Sequence, residues 1–300
     1  MGILRDVIRD VIKPVLVDTA DRWWTNPWYS QSPIKLIIPF TDTQFKFSFR
    51  LPTTSTIIID EGDGTRTSIV GKGAVTVIHH DTTYTAPGTY YFYVEGDCLD
   101  LTRVWARPIG LATGDLTHFY ELVELTQITF TSSNFTGDVT RWSVLTKVTI
   151  CNISNTLMIG SIDGWGTVLV SGTFSNTKLS GNISSFANKP LLQWLYIDGT
   201  NITGDASTLK GLSALEYFTS NGTTITFNSS DAWAAPLIVF DMSNSNLISS
   251  HVDNALIALA NGGVASAAIT LGGNNAVRTS ASDAAKTTLE SAGCTVIVNE

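Results

Sequence analysis

From residue 99 onward the apolar positions recur with a fixed internal spacing. Leu125, Ile128, Phe130 and Phe135 stand at offsets 0, 3, 5 and 10, and Leu192, Leu195, Ile197 and Ile202 repeat them, as do Leu237, Phe240, Met242 and Leu247. Three of the four positions are kept by Leu215, Phe218 and Ile225, by Leu169, Phe174 and Leu179, and by Leu101, Val104 and Leu111. Weaker members begin at Leu145, Val148 and Ile150 and at Ile269, Leu271 and Ala276. The anchors Leu101, Leu125, Leu145, Leu169, Leu192, Leu215 and Leu237 are 24, 20, 24, 23, 23 and 22 residues apart, a period typical of solenoids. One short strand cannot bury its apolar side alone, so the coils are predicted to stack and share a continuous core. Near the end, SHVDNALIALANGG and SASDAAKTTLESAG read as amphipathic helices stopped by Gly, each leading to a strand, AAITLG and CTVIVN.

The first third of the chain has other periods. Residues 1 to 13 place Ile3, Leu4, Val7, Ile8, Val11 and Ile12 at helical spacing before Pro14, which predicts a short amphipathic helix. A helix that short is marginal alone, so its stripe is expected to anchor on its own body, on identical helices or on a larger assembly. Trp23, Trp24, Trp28 and Tyr29 follow, too dense in rings for a free linker. Between residues 33 and 96, KLIIPF, QFKFSFRL, STIIID, AVTVIHH and TYYFYVEG alternate with turns as short strands do, which predicts a small sandwich.

Two of those turns carry a resemblance. Gly62 to Thr65 (GDGT), His79 or His80 on the following strand, and Pro87 to Tyr90 (PGTY) resemble a PKD-like, immunoglobulin-type sandwich, with Glu61 where that family often has Trp. The pattern L-x-x-L-x-L-x-x-N-x-L over residues 99 to 300 resembles leucine-rich repeats. The expected fold is therefore mainly β with some α. An N-terminal helix and aromatic segment (1–32) precede an Ig/PKD-like sandwich (33–98) and a leucine-rich-repeat solenoid with helical C-terminal repeats (99–300). This module pair is similar to bacterial surface proteins and to bacteriophage virion structural proteins, and the MGILRDVIRDVIKPV leader is similar to those of some phage structural proteins.

Charge narrows the partners. Lys and Arg total 18 against 26 Asp and Glu, a net charge of −8, and charged residues are only 15% of the chain. Wholesale nucleic-acid binding is excluded by that balance. No apolar run reaches the about 18 residues of a membrane helix, and the charged N-terminus lacks a signal-peptide core. Asp6 stands where a myristoylation signal needs Ser or Thr. Asn-x-Ser/Thr triplets follow from composition alone. Cys98, Cys151 and Cys294 have neither metal-ligand spacing nor a disulfide framework, and are expected to be buried free thiols.

Enzyme signatures such as H-E-x-x-H, G-x-S-x-G or a phosphate-binding loop do not occur. His79 and His80 are adjacent on a strand, so they point to opposite faces and cannot share a metal. Asp60 and Asp63 lack the further ligands of a calcium loop and read as a tight turn. No metal and no cofactor is expected.

The surface signal lies between the anchors. At offsets 2 and 4 stand Arg103 and Trp105, Gln127 and Thr129, Lys147 and Thr149, Ser171 and Thr173, Trp194 and Tyr196, Tyr217 and Thr219, and Val239 and Asp241. Trp194, Tyr196 and Tyr217 should be neighbours on adjacent coils about 4.8 Å apart. Together with Trp105 and Asp241 they are the candidate partner-binding residues, for a sugar ring or a protein, unless a second copy or a loop covers them. Trp142, Trp165 and Trp233 fall outside these columns and are expected in the core or at an edge. Asp198, Asp205 and Asp241 are default carboxylates for a glycan-cleaving reading.

The expected function is a non-enzymatic virion structural protein, part of the head decoration, a fibre or the tail. It would be anchored through residues 1 to 29 to other virion proteins, with the solenoid facing a host-surface glycan or protein. The virion resemblance implies a homo-oligomer. The alternative is a bacterial cell-surface adhesin or protein-interaction module.

Overall fold

Short strands pair antiparallel at the start of the chain: β1 (Lys35–Pro39), β2 (Phe45–Arg50), β3 (Thr56–Asp60), β4 (Arg66–Val70), β5 (Ile78–Thr82), β6 (Thr89–Gly96), β7 (Arg103–Pro108) and β8 (Thr113–Asp115). The computed structural model describes residues 35–39, 45–73, 75–83, 89–108, 113–131, 134–233 and 235–300. The predicted N-terminal helix with its anchor residues, the Trp23 to Tyr29 segment, Pro87, Gly88 and Leu111 lie outside the described residues.

Two sheets face each other, β8-β1-β6-β3-β4, which a parallel strand at Asn134–Thr136 extends beyond β8, and β5-β2-β7. Phe47 and Phe49 of β2 are fully buried, and Phe47 meets Phe92 of β6 across the core at a centroid distance of 5.2 Å. Ile57, Ile59, Ile78 and Val94 fill the remaining space. No expected strand covers β4: none of its residues is buried, so burial periodicity leaves no trace of it. What makes it a strand is the hairpin with β3 across the GDGT turn, where Glu61 N–H donates to the Thr65 carbonyl at 3.1 Å. Gly62 adopts φ +78° there, and a Cβ would meet the Tyr91 backbone at 2.5 Å.

From β7 onward the main sheet turns parallel. The solenoid strands are β9 (Gln127–Phe130), β10 (Asn134–Thr136), β11 (Ile150–Asn152), β12 (Ile159–Ser161), β13 (Ser171–Thr173), β14 (Lys178–Asn182), β15 (Trp194–Tyr196), β16 (Asn201–Thr203), β17 (Tyr217–Thr219), β18 (Val239–Asp241), β19 (Ala268–Thr270) and β20 (Thr295–Ile297). Each coil places one strand in the long sheet β7-β9-β11-β13-β15-β17-β18-β19-β20, while β12-β14-β16 form a second parallel sheet. Val104, Ile128, Cys151, Gly172, Leu195, Phe218, Phe240, Ile269 and Val296 share one column of the long sheet. At Gly172 the column lacks a side chain, and a Cβ there would lie 2.6 Å from the Phe174 ring, which takes its place.

The third coil differs from the expected spacing. Its strand register aligns Cys151 with Ile128, so its anchor is Val148, followed by the buried Cys151, Ile153 and Met158 at the usual offsets. Ile150 and Asn152, not Lys147 and Thr149, are its outward residues. The reason is a second Leu column three residues ahead of each anchor: Leu122, Leu145 and Leu212 are all buried, and each accepts a hydrogen bond from the anchor behind it. Leu145 therefore imitates an anchor.

Backbone turns hold the coils together. Asn155, Asn176, Gly199, Gly222 and Asn244 adopt φ of +55°, +58°, +60°, +67° and +53° at one position per coil, a conformation Asn and Gly tolerate best. Each donates its N–H to a carbonyl of the next coil, those of Ser175, Asp198, Asn221, Ser243 and Gly272 respectively. At the next position, where the repeat pattern has Asn, four of these five coils have Thr and the fifth has Ser245, whose hydroxyl donates to the Ser220 and Ser243 carbonyls. Thr156, Thr177, Thr200 and Thr223 are buried, and each donates its hydroxyl to the carbonyl three residues back at 2.6 to 2.8 Å. A buried Asn replaces this device only at the end. Asn275 Oδ1 accepts from the N–H groups of Ser245 and Leu247, and its Nδ2 donates to the carbonyls of Met242 and Leu271.

Two helices close the solenoid, α1 (Ser249–Asn261) and α2 (Asp283–Ser291), as the amphipathic pattern predicts. Buried Asp253 ties α1 to the following coil by accepting from Thr279 N–H and from the hydroxyls of Thr279 and Ser282. Opposite the long sheet, Phe119, Trp142 and Trp165 stack at centroid distances of 6.0 Å. Trp142, Trp165 and Trp233 are all buried, as are the three free cysteines. Burial raises the Cys98 thiol to about 11 and the Cys151 thiol further.

Lys189 stands in the second Leu column and is fully buried. Its Nζ donates to the Trp165 carbonyl at 2.7 Å and to Asn188 Oδ1 at 3.4 Å, with no carboxylate partner among the described residues. Desolvation lowers its pKa from 10.5 to about 8.

Replacing Thr200 with Val leaves the Ile197 carbonyl unpaired in the core and should destabilise the fold by about 1–3 kcal/mol in urea unfolding. An unchanged midpoint would show that the hydroxyl contributes nothing. The unfolded chain holds the Lys189 proton up to pH 10.5 and the folded chain only to about 8, so stability should rise as pH rises through that window. Lys189→Met should flatten this rise and stabilise the protein at pH 7, measured by unfolding at pH 7 to 10.

Candidate partner-binding face of the solenoid

Strands of three residues expose their first and third side chains on one face when the middle one is buried. In β15 and β17 the middle residues are Leu195 and Phe218, both fully buried, so Trp194, Tyr196, Tyr217 and Thr219 point outward and are partly exposed. The parallel register sets Trp194 beside Tyr217 and Tyr196 beside Thr219. The rings of Tyr196 and Tyr217 are 6.3 Å apart at 35°. Burial raises the Tyr196 phenol pKa, and Tyr217 and Asp198 add to the shift.

The aromatic block is two coils wide. On one side β13 presents the small Ser171 and Thr173, and on the other β18 presents Val239 and Asp241. Asp241 thus borders the block, and its Oδ1 accepts from Ser243 N–H at 2.8 Å. Trp105 is in the same column but on β7, four strand spacings from Tyr196, or about 19 Å. It packs under Arg103, whose guanidinium carbon is 5.2 Å from its ring centroid. The face therefore brings together Trp194, Tyr196, Tyr217 and Asp241, and separates Trp105 from them.

The carboxylates are acceptors in the framework. Asp198 accepts from the hydroxyls of Ser175 and Thr219 and from Asn221 N–H. Asp205 caps the 3-10 turn Ala206–Gly211 by accepting from Ser207 N–H and Oγ, and also takes Asn228 N–H. In the GDGT turn, Asp60 accepts from Gly62 N–H and Tyr93 Oη, and Asp63 from Thr65 N–H, the bonds of a tight turn. His79 faces outward and bonds Ser48 Oγ at 2.9 Å, while His80 faces inward and bonds Glu61, which fills the expected Trp position. Among the described residues no group of three or more His, Cys, Asp or Glu could hold a metal ion, and no helix is long and apolar enough to cross a membrane.

Column counting along the sequence overlooks two features of this face. Glu216, directly before β17, is half-buried and its carboxylate has no hydrogen bond among the described residues. At the other end, β2 adds Arg50 beside Arg103, a neighbour that only the strand pairing reveals. The face is cationic over β2 and β7 and acidic and aromatic over β15 to β18.

No family model matches the chain, and no curated protein does. Among solved structures, an internalin, InlF, from Listeria monocytogenes is 18% identical with a TM-score of 0.44, covering 58% of this chain and 49% of its own. The plant peptide hormone receptor RGFR1 in complex with RGF2 is 18% identical with a TM-score of 0.43, covering 54% and 30%. A plant ice-binding protein is 18% identical with a TM-score of 0.39, covering 54% of each chain. The chain thus spans about half or less of the length of each. The solenoid itself rests on the strand register of this chain.

Proposed function

We propose that this chain is a non-enzymatic contact module whose aromatic face on β15 and β17 docks a partner on another surface. The observation that carries the reading is the cluster of Trp194, Tyr196 and Tyr217, held outward by a fully buried row and backed by strands that make the site rigid. Trp and Tyr dominate the energetics of contact surfaces because they bring large area at low entropy cost. Of the carboxylates beside the block, Asp198 and Asp241 are hydrogen-bonded to the framework and Glu216 is not, whereas glycan hydrolysis needs two carboxyl groups free to act as a pair.

The module is displayed on a phage virion, with residues 1 to 29 attaching it to the particle. This extends the resemblance of the module pair to phage structural proteins. A bacterial cell-surface adhesin fits the same face, with a protein partner.

Trp194→Ala and Tyr217→Ala should each weaken binding of the labelled protein to intact target cells by about tenfold or more, with circular dichroism and melting unchanged. Equal binding by both variants would remove the aromatic face from the function. Protease or periodate treatment of the cells separates a protein partner from a glycan. Deleting residues 1 to 29 should abolish incorporation into particles, scored by particle sedimentation, and normal incorporation would remove the anchoring role.

A further inference from the structure

The antiparallel pairing of β2 with β7 sets Arg50 directly across from Arg103. Cross-strand partners have Cβ atoms about 5 Å apart, and like charges at such positions repel. Both side chains are half-buried, and the Nε of each is buried without a hydrogen-bond partner. Elsewhere Arg66 is paired with Asp60 and Glu95, Arg278 with Asp283 and Glu300, and Arg141 lies over the Tyr120 ring at 3.6 Å. Arg50 and Arg103 have no carboxylate partner among the described residues. Burial, together with the neighbouring Arg50 charge, lowers the Arg103 pKa. Trp105 lies under Arg103, Gln127 is the parallel neighbour of Arg103 on β9, and Ser48, across from Trp105, is bonded to His79. Asp81, the acidic residue of β5, faces Lys46 at 3.8 Å, at the far end of β2 from Arg50.

A half-buried guanidinium with an unpaired N–H is costly, and two side by side are more so. An oxyanion on the open side of the sheet neutralises the like-charge pair, because the terminal N–H groups of a guanidinium lie parallel at the spacing of two oxygens on one phosphorus or sulfur. We propose that Arg50 and Arg103 form an anion site that takes a phosphate or sulfate group, with the Trp105 ring as its wall. The site is independent of the aromatic block, which lies about four strand spacings away on the same face.

The test is calorimetric titration and thermal melting of the full chain at constant ionic strength in sodium phosphate, sulfate, acetate or chloride. Phosphate or sulfate should bind with one site per chain and raise the melting temperature over chloride, and acetate should not. Arg50→Gln and Arg103→Gln should each abolish that response, and each should melt above the wild type in chloride because the facing like charge is gone. Arg103→Lys keeps the charge without the fork and should weaken binding by about tenfold. Glucose 6-phosphate and a sulfated disaccharide, compared with the inorganic ions, separate a glycan-borne group from a free ion. The proposal is overturned if no tetrahedral anion is preferred over chloride, if acetate binds equally well, or if the preference survives in both Gln variants.

Discussion

A three-residue strand has too little apolar surface to persist by itself, so every coil of this protein depends on the coil before and the coil after it. The dependence is met in two ways at once. Side chains at the third offset stack into a spine from Val104 to Val296. The turn behind each strand donates an N–H from a left-handed Asn or Gly into the next coil and folds a buried Thr hydroxyl back on its own carbonyl. The spine supplies the driving force and the turn supplies the registry. Burying the turn without those bonds would strand carbonyl groups away from water, at a cost of about 1–3 kcal/mol for each.

That division explains what the sequence reveals. The spine is legible because Leu, Ile and Phe recur at wide, regular intervals, and the anchors from Leu192 onward fall where the structure has them. The third coil is misread because Leu145 belongs to a parallel apolar column three residues earlier, and a spacing argument cannot tell which of two columns it is counting. The Thr ladder is invisible for the opposite reason. In a chain so rich in Thr, one more Thr per coil carries no contrast. Lys189 in a Leu column and the unburied β4 are exceptions that pattern reading smooths over. Of the candidate site, Trp194, Tyr196 and Tyr217 follow from alternation within a strand, a local property. The pairing of Arg50 with Arg103 joins residues 53 positions apart, and only the topology brings them together.

The outward face is chemically polarised along the solenoid axis. Its first strands present guanidinium groups and one indole, and its later strands present phenols, an indole and carboxylates. A partner that lies along the face would meet opposite charges at its two ends, which fixes its direction as well as its position. Between the two ends the outward residues Gln127, Thr129, Ile150, Asn152, Ser171 and Thr173 are uncharged.

The strand β7 is at once the edge of the N-terminal sheet pair and the first coil of the solenoid, and the buried residues on both sides of it form one hydrophobic cluster. A joint of this kind has no hinge. Tension applied at one end of the molecule is carried through backbone hydrogen bonds instead of a linker, so the two parts tilt as a single lever. Dividing the molecule at this strand would leave a row of unpaired backbone groups on either part.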